Sequence, residues 1–189
     1  MTDFVDMPDR RIAVERRPGK APGLFWLGGF RSEMTGAKAS AIDAWGAAHG
    51  HAVTRFDYSG HGQSGGEFIE GTISRWLEEA RAVFETTSGP QIVVGSSMGG
   101  WLALLLIRQL RHRGEARVAG LILIAPATDM TGDLMWNGFS KKQRRLIDTQ
   151  GYLEVPSDYG PPFRLTRTLI EDGRQHLMFG HAIETGCPV

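Results

Sequence analysis

Two serines stand side by side in Gly95-Ser96-Ser97-Met98-Gly99, and only the second falls at the centre of a G-x-S-x-G pattern. A serine hydroxyl is a weak nucleophile and needs an exposed seat within reach of a base. A sharp strand-to-helix turn offers that seat, at the cost of a strained backbone and crowded flanks. Glycines two residues before and two after Ser97 remove the side chains that would collide there. The β-branched run Ile92-Val93-Val94 leads into the turn and a strongly apolar stretch, residues 101–107, leaves it. The pattern therefore reads as a nucleophile elbow with Ser97 as the nucleophile. Acyl transfer at such a serine also needs a base, a carboxylate to orient the base, and donors for the oxyanion. One donor is expected to be the backbone N–H of Met98. The other is expected from Gly28-Gly29-Phe30, which follows the apolar run 23–27, with Phe30 N–H as first choice and Arg31 as second.

Elements that alternate along the chain must position these residues. Residues 11–17 read as a half-exposed edge strand and residues 23–27 as a strand covered on both faces. A helix is expected over 38–49 with Ile42, Trp45 and Ala48 on one face, then a strand over 52–57. Residues 73–84 follow with an apolar stripe, Thr72 as N-cap, and Arg75, Glu78, Glu79 and Arg81 facing water. The elbow strand, its helix and a strand over 118–125 complete the series. Alternating strands and amphipathic helices imply an α/β fold with a mostly parallel, doubly wound sheet. Residues 126–181 break the alternation. A capping box at Ser140 and Gln143 opens a short helix, residues 157–162 are turn-rich, 163–165 are briefly extended, and a further helix begins near Thr166. This segment reads as a small helical cap inserted after a core of residues 1–125, with 182–189 starting the next core strand. Its Trp136, Phe139, Leu146, Tyr152, Leu153, Tyr159 and Phe163 are expected to wall an apolar pocket, with Phe30, Arg31, Trp136 and Phe139 meeting substrate.

The composition narrows the partners. In 189 residues, 21 basic and 21 acidic side chains balance, which gives no signature of nucleic acid or of an anionic membrane surface. No apolar stretch approaches the ~20 residues of a membrane span. The single cysteine, Cys187, points to a reducing compartment and a cytoplasmic location. No metal-ligand spacing and no phosphate or dinucleotide glycine pattern occurs, so neither metal nor cofactor is expected.

The stretches 89–101 and 55–60, with Gly36-Ala37-Lys38-Ala39 and Cys187-Pro188-Val189, resemble the α/β-hydrolase superfamily. Within it they are similar to the abhydrolase-type palmitoyl-protein thioesterases and acyl-glucuronide esterases of mitochondria. The resemblance implies ester and thioester hydrolysis, with Ser97 as nucleophile and Phe30 and Met98 as oxyanion donors. Gly28 departs from the histidine or proline such families commonly carry there. In the family the acid follows a strand that begins near Cys187 and the histidine follows one strand later. The acid and base are therefore expected beyond Val189, the chain being the N-terminal part of a hydrolase of ~250 residues that is inactive as it stands. Inside the chain, Asp129 as acid and His176 or His181 as base are the alternatives, and His61 and Asp57 read as loop-shaping residues. The expected function is a serine hydrolase of acyl thioesters or esters. A small-molecule carboxylesterase or an aminopeptidase-like hydrolase is the alternative, and a non-catalytic binding module is the contrast.

Overall fold

The computed structural model describes residues 2–156 and 162–189. The turn expected at 157–162 and Tyr159 within it therefore lie outside the described residues, apart from Pro162. Six strands form the main sheet: β1 Asp3–Met7, β2 Arg10–Arg17, β3 Lys20–Leu27, β4 His51–Phe56, β5 Gln91–Ser96 and β6 Val118–Ile124. Their spatial order is β1-β2-β4-β3-β5-β6. β4, β3, β5 and β6 are parallel, while β1 and β2 form an antiparallel hairpin whose second strand joins the edge of β4. The helices α1 Ala37–His49, α2 Ile73–Glu85 and α3 Met98–His112 connect the parallel strands.

The two faces of the sheet are covered unequally. On one, Phe25, Leu27 and Val93 meet α2 and α3 through Trp76, Phe84 and Trp101, all 0 % exposed. Phe25 and Phe84 pack edge-to-face at 5.3 Å, a geometry aromatic quadrupoles favour. On the other, α1 approaches through Ala39 and Gly46, its two buried residues. A Cβ on Gly46 would collide with Val53, so only glycine permits this approach. Trp45, expected on the buried face, is instead 46 % exposed and stacks on His49 and His51. It lines an open apolar groove with Leu24, Ile42, Ile92, Val94, Ile122 and Ile124.

The capping signals read from sequence are present as geometry. Thr72 accepts from Arg75 N–H at 3.1 Å, and Ser140 and Gln143 cap each other at the start of α4 Lys141–Gln150. The segment after Pro126 holds more than helices. A π-helical stretch, Met130–Trp136, precedes α4, and β7 Tyr152–Val155 pairs antiparallel with β8 Phe163–Thr166 ahead of α5 Arg167–Gly173. Residues 182–189 form no strand, but the Pro188 carbonyl accepts from Leu121 N–H at 2.9 Å beside β6.

Candidate active site

β5 delivers the chain to Ser97 and α3 carries it away, with Ser97 at φ 54° and ψ −122°. Left-handed backbone at a residue bearing a Cβ costs about 1–3 kcal/mol and persists only where the surroundings enforce it. Here they do. Ser97 N–H donates to Ile124 O at 3.1 Å, and its carbonyl accepts from Gly100 N–H at 2.9 Å and Ala127 N–H at 3.0 Å. A Cβ on Gly99 would collide with the carbonyls of Leu27 and Gly28, so the start of α3 lies directly on the end of β3. Ser96 ends β5 and is buried, whereas Ser97 is half-buried on the turn. The 15 residues of α3 also direct the positive end of a helix dipole at this point.

The turn after β3 passes close by. A Cβ on Gly29 would stand 3.3 Å from Ser97 Cβ. Ser32 N–H donates to Gly29 O at 3.0 Å, and Arg31, third in that four-residue turn, has φ 58°. Negative φ at Phe30 followed by positive φ at Arg31 is the type II pattern, which favours glycine where arginine stands. Among the described residues, neither Phe30 N–H nor Met98 N–H has an acceptor. Arg31 N–H, the second choice as oxyanion donor, is taken: it donates to His61 Nε2 at 3.1 Å. The Phe30 ring lies among Phe68 (5.2 Å), Trp76 (5.9 Å) and Phe163 (6.0 Å), and the Arg31 guanidinium sits 4.2 Å over the Phe163 ring. A cavity of about 270 Å³ is lined here by Arg31, Glu33, His61, Phe68 and Phe163 together with Gly60 and Gly62.

The loop after β4 supports that turn. Asp57 is buried and accepts from Met34 N–H at 2.6 Å and Gln63 N–H at 2.9 Å; burial raises its pKa against the pull of those two bonds. His61 is 6 % exposed, with Nδ1 3.1 Å from Ser59 O, and burial lowers its pKa. Ser59 N–H in turn donates to Glu79 Oε2 at 2.8 Å, and Glu79 Oε1 accepts from Arg10 Nε at 2.6 Å. Glu79, expected to face water, is 0 % exposed. A buried carboxylate is tolerated where cations and N–H groups satisfy it, and its partner Arg10 lies 69 residues away, where helical periodicity gives no sign of it. Burial raises the Glu79 pKa, with the Ser59 and Arg10 bonds opposing.

The alternatives inside the chain make contacts of their own. Asp129, at φ 58° after β6, accepts from Met178 N–H (2.8 Å) and Phe179 N–H (2.8 Å). His176 Nε2 is 2.7 Å from Ser74 Oγ, and His181 lines a separate cleft with Arg108 and Arg111. Among the described residues, no imidazole is hydrogen-bonded to Ser97. Trp136 and Phe139 pack on each other at 6.4 Å, with Arg144 and Arg174 over the indole; neither ring joins the aromatic cluster at Phe30. Phe163 does. No group of three His, Cys, Asp or Glu side chains suited to a metal occurs among the described residues.

Comparison with known proteins sets this strained serine, between a parallel strand and a buried helix, in a family. The family profile described as serine aminopeptidase, S33 (Hydrolase_4) matches residues 32–156. The chain is an α/β-hydrolase. It is 46 % identical to a candidate hydrolase of Agrobacterium vitis S4, with a TM-score of 0.94 over 100 % of this chain and 77 % of the other. Mouse α/β-hydrolase domain-containing protein 10 superposes with a TM-score of 0.84 at 33 % identity, over 100 % of this chain and 75 % of that one. The mitochondrial palmitoyl-protein thioesterase ABHD10 of Bos taurus is 33 % identical over 192 residues, 98 % of this chain. The chain spans 60 % of the length of that curated relative. The name of that relative places it in mitochondria and lends no support to a cytoplasmic location for this hydrolase. Among the described residues, no helix is long and apolar enough to cross a membrane.

Proposed function

We propose that this α/β-hydrolase cleaves acyl thioesters or carboxylic esters through an acyl-enzyme at Ser97. The observation that carries the reading is the left-handed Ser97 at the head of α3, with the unpartnered amides of Met98 and Phe30 on the two turns that meet there. Ser97 Oγ adds to the acyl carbon, and the carbonyl oxygen becomes an oxyanion held by the Met98 and Phe30 N–H groups and the α3 dipole. The Oγ proton passes to the general base, collapse of the adduct breaks the C–S or C–O bond and the leaving group takes that proton as thiol or alcohol, and water then cleaves the acyl-enzyme ester to the carboxylic acid and restores the Ser97 hydroxyl. The general base and its carboxylate partner are assigned to no residue of this chain. The aromatic cluster Phe30, Phe68 and Phe163 offers an apolar wall for the acyl group, with Arg31 at its rim. Trp136 and Phe139 remain candidates for the outer part of that wall, and residues 126–181 for the cap that carries it.

Similarity to the palmitoyl-protein thioesterases favours a long acyl chain, whereas the family description favours an aminoacyl amide. Rates on a palmitoyl thioester, an aryl ester and an aminoacyl amide, measured with the full-length protein, separate them. Thioester and ester turnover are expected to exceed amide turnover, and Ser97→Ala to lower kcat on the order of 10⁴-fold or more. Undiminished turnover in Ser97→Ala would dismiss it.

A further inference from the structure

Among the described residues, His61 is hydrogen-bonded to neither Ser97 nor the two proposed oxyanion donor amides, yet it is hydrogen-bonded to the residue beside one of them. Arg31 N–H points at Nε2 over 3.1 Å, so Nε2 must be the unprotonated, accepting nitrogen. The hydrogen then resides on Nδ1, which donates to Ser59 O at 3.1 Å. Trp76 Nε1 donates to the same carbonyl at 3.2 Å, and the Glu79–Arg10 pair holds the Ser59 amide. The rings of Tyr58, Phe68 and Trp76 stand 5.3–5.8 Å from the imidazole and leave it little room to turn.

The bond matters because of which N–H it captures. Arg31 N–H belongs to the central peptide of the Gly29–Ser32 turn. Type I and type II turns differ by a flip of that peptide, and the type I form would give Arg31 the negative φ that arginine prefers. An acceptor on one side of the peptide selects the type II form. We infer that His61, as the neutral imidazole protonated on Nδ1, is a positioning residue that holds the oxyanion turn in the left-handed form Arg31 alone would abandon. This deepens the proposed function, since it rests on Phe30 N–H being an oxyanion donor. Among the described residues, Arg31 and Glu33 bring charge to the imidazole, and the remaining contacts are aromatic or backbone.

The test uses the full-length protein and the variants His61→Ala, His61→Gln, Arg31→Gly and the Arg31→Gly/His61→Ala pair. Displacing a catalytic turn by an ångström costs on the order of 10²-fold. His61→Ala is expected to lower kcat by ~10- to 10²-fold with KM nearly unchanged. His61→Gln should recover most of that, because the Gln carbonyl oxygen reaches the position of Nε2. Glycine adopts positive φ unaided, so in the Arg31→Gly background loss of the imidazole should cost much less. An equal loss in both backgrounds would overturn the inference, as would a His61→Gln no better than His61→Ala. A second readout is independent of turnover: a nitrogen–nitrogen coupling across the Arg31–His61 bond, with Arg31 φ taken from backbone couplings. Positive φ retained in His61→Ala refutes the positioning role. Should Ser97→Ala keep full activity, the functional reading fails on its own, and the φ measurement still decides the role of His61.

Discussion

The turns at Ser97 and at Arg31 end neighbouring parallel strands, and each carries a non-glycine residue at nearly the same left-handed φ, 54° and 58°. They are held there differently. Ser97 is fixed by three backbone hydrogen bonds and by glycines whose replacement would collide with backbone. Beyond the hydrogen bond that closes its own turn, the Arg31 peptide rests, among the described residues, on one imidazole, which depends in turn on Ser59, Glu79 and Arg10. Strain enforced by main chain survives most side-chain changes. Strain enforced by one side chain can be relieved by one substitution or one proton.

Substitutions on each side test that contrast. The largest effect is expected on the Arg31 side from Glu79→Ala, which strands Arg10 in the interior and frees the Ser59 amide. Removing one member of a buried ion pair costs about 3–5 kcal/mol, and the contacts of Arg10 with Asp9 and Glu78 should hold the loss to the lower end, read as a shift of the urea midpoint. Gly99→Ala attacks the Ser97 side. The new methyl meets the Leu27 and Gly28 carbonyls, and overpacking of this kind costs about 1–3 kcal/mol, with fluorophosphonate reactivity lost even where the chain stays folded.

Acid should act on the Arg31 side first. Burial lowers the His61 pKa below the ordinary 6.5, so the unfolded chain binds the proton more readily than the fold does. The neutral imidazole's stabilisation is complete above that value and is lost as pH falls toward the folded pKa. His176, lowered mainly by burial, titrates with the same sign, so the slope difference between the parent and His61→Gln in pH-dependent unfolding isolates His61. The smallest effect belongs to Arg31→Gly. Relief of about 1 kcal/mol of left-handed strain is offset by a similar entropy gain in the unfolded chain, leaving the melting temperature almost unchanged.

The same contrast explains what the sequence could disclose. The Ser97 turn is written locally: glycines at fixed offsets, β-branched residues before and an apolar helix after. The helix caps at Thr72 and Ser140 are equally local, and Asp57 stands beside the loop it ties down. What stayed hidden depends on distant partners. Glu79 looks like a water-facing member of an amphipathic helix until Arg10 is placed beside it. Arg31 looks like a free donor until His61, thirty residues on, claims its N–H. Trp45 fits the apolar stripe of α1, but the helix meets the sheet through Gly46. Strands β1 and β7 carry little signal in the sequence because both are short and depend on an antiparallel partner.

The central claim is that Ser97, rather than Ser96, is the nucleophile, and one measurement addresses it directly. Full-length protein is treated with a fluorophosphonate, digested, and the modified residue located by mass spectrometry in the parent, Ser97→Ala and Ser96→Ala. A single phosphonyl group is expected on Ser97, retained in Ser96→Ala and absent from Ser97→Ala. Labelling that persists in Ser97→Ala and vanishes in Ser96→Ala would contradict it.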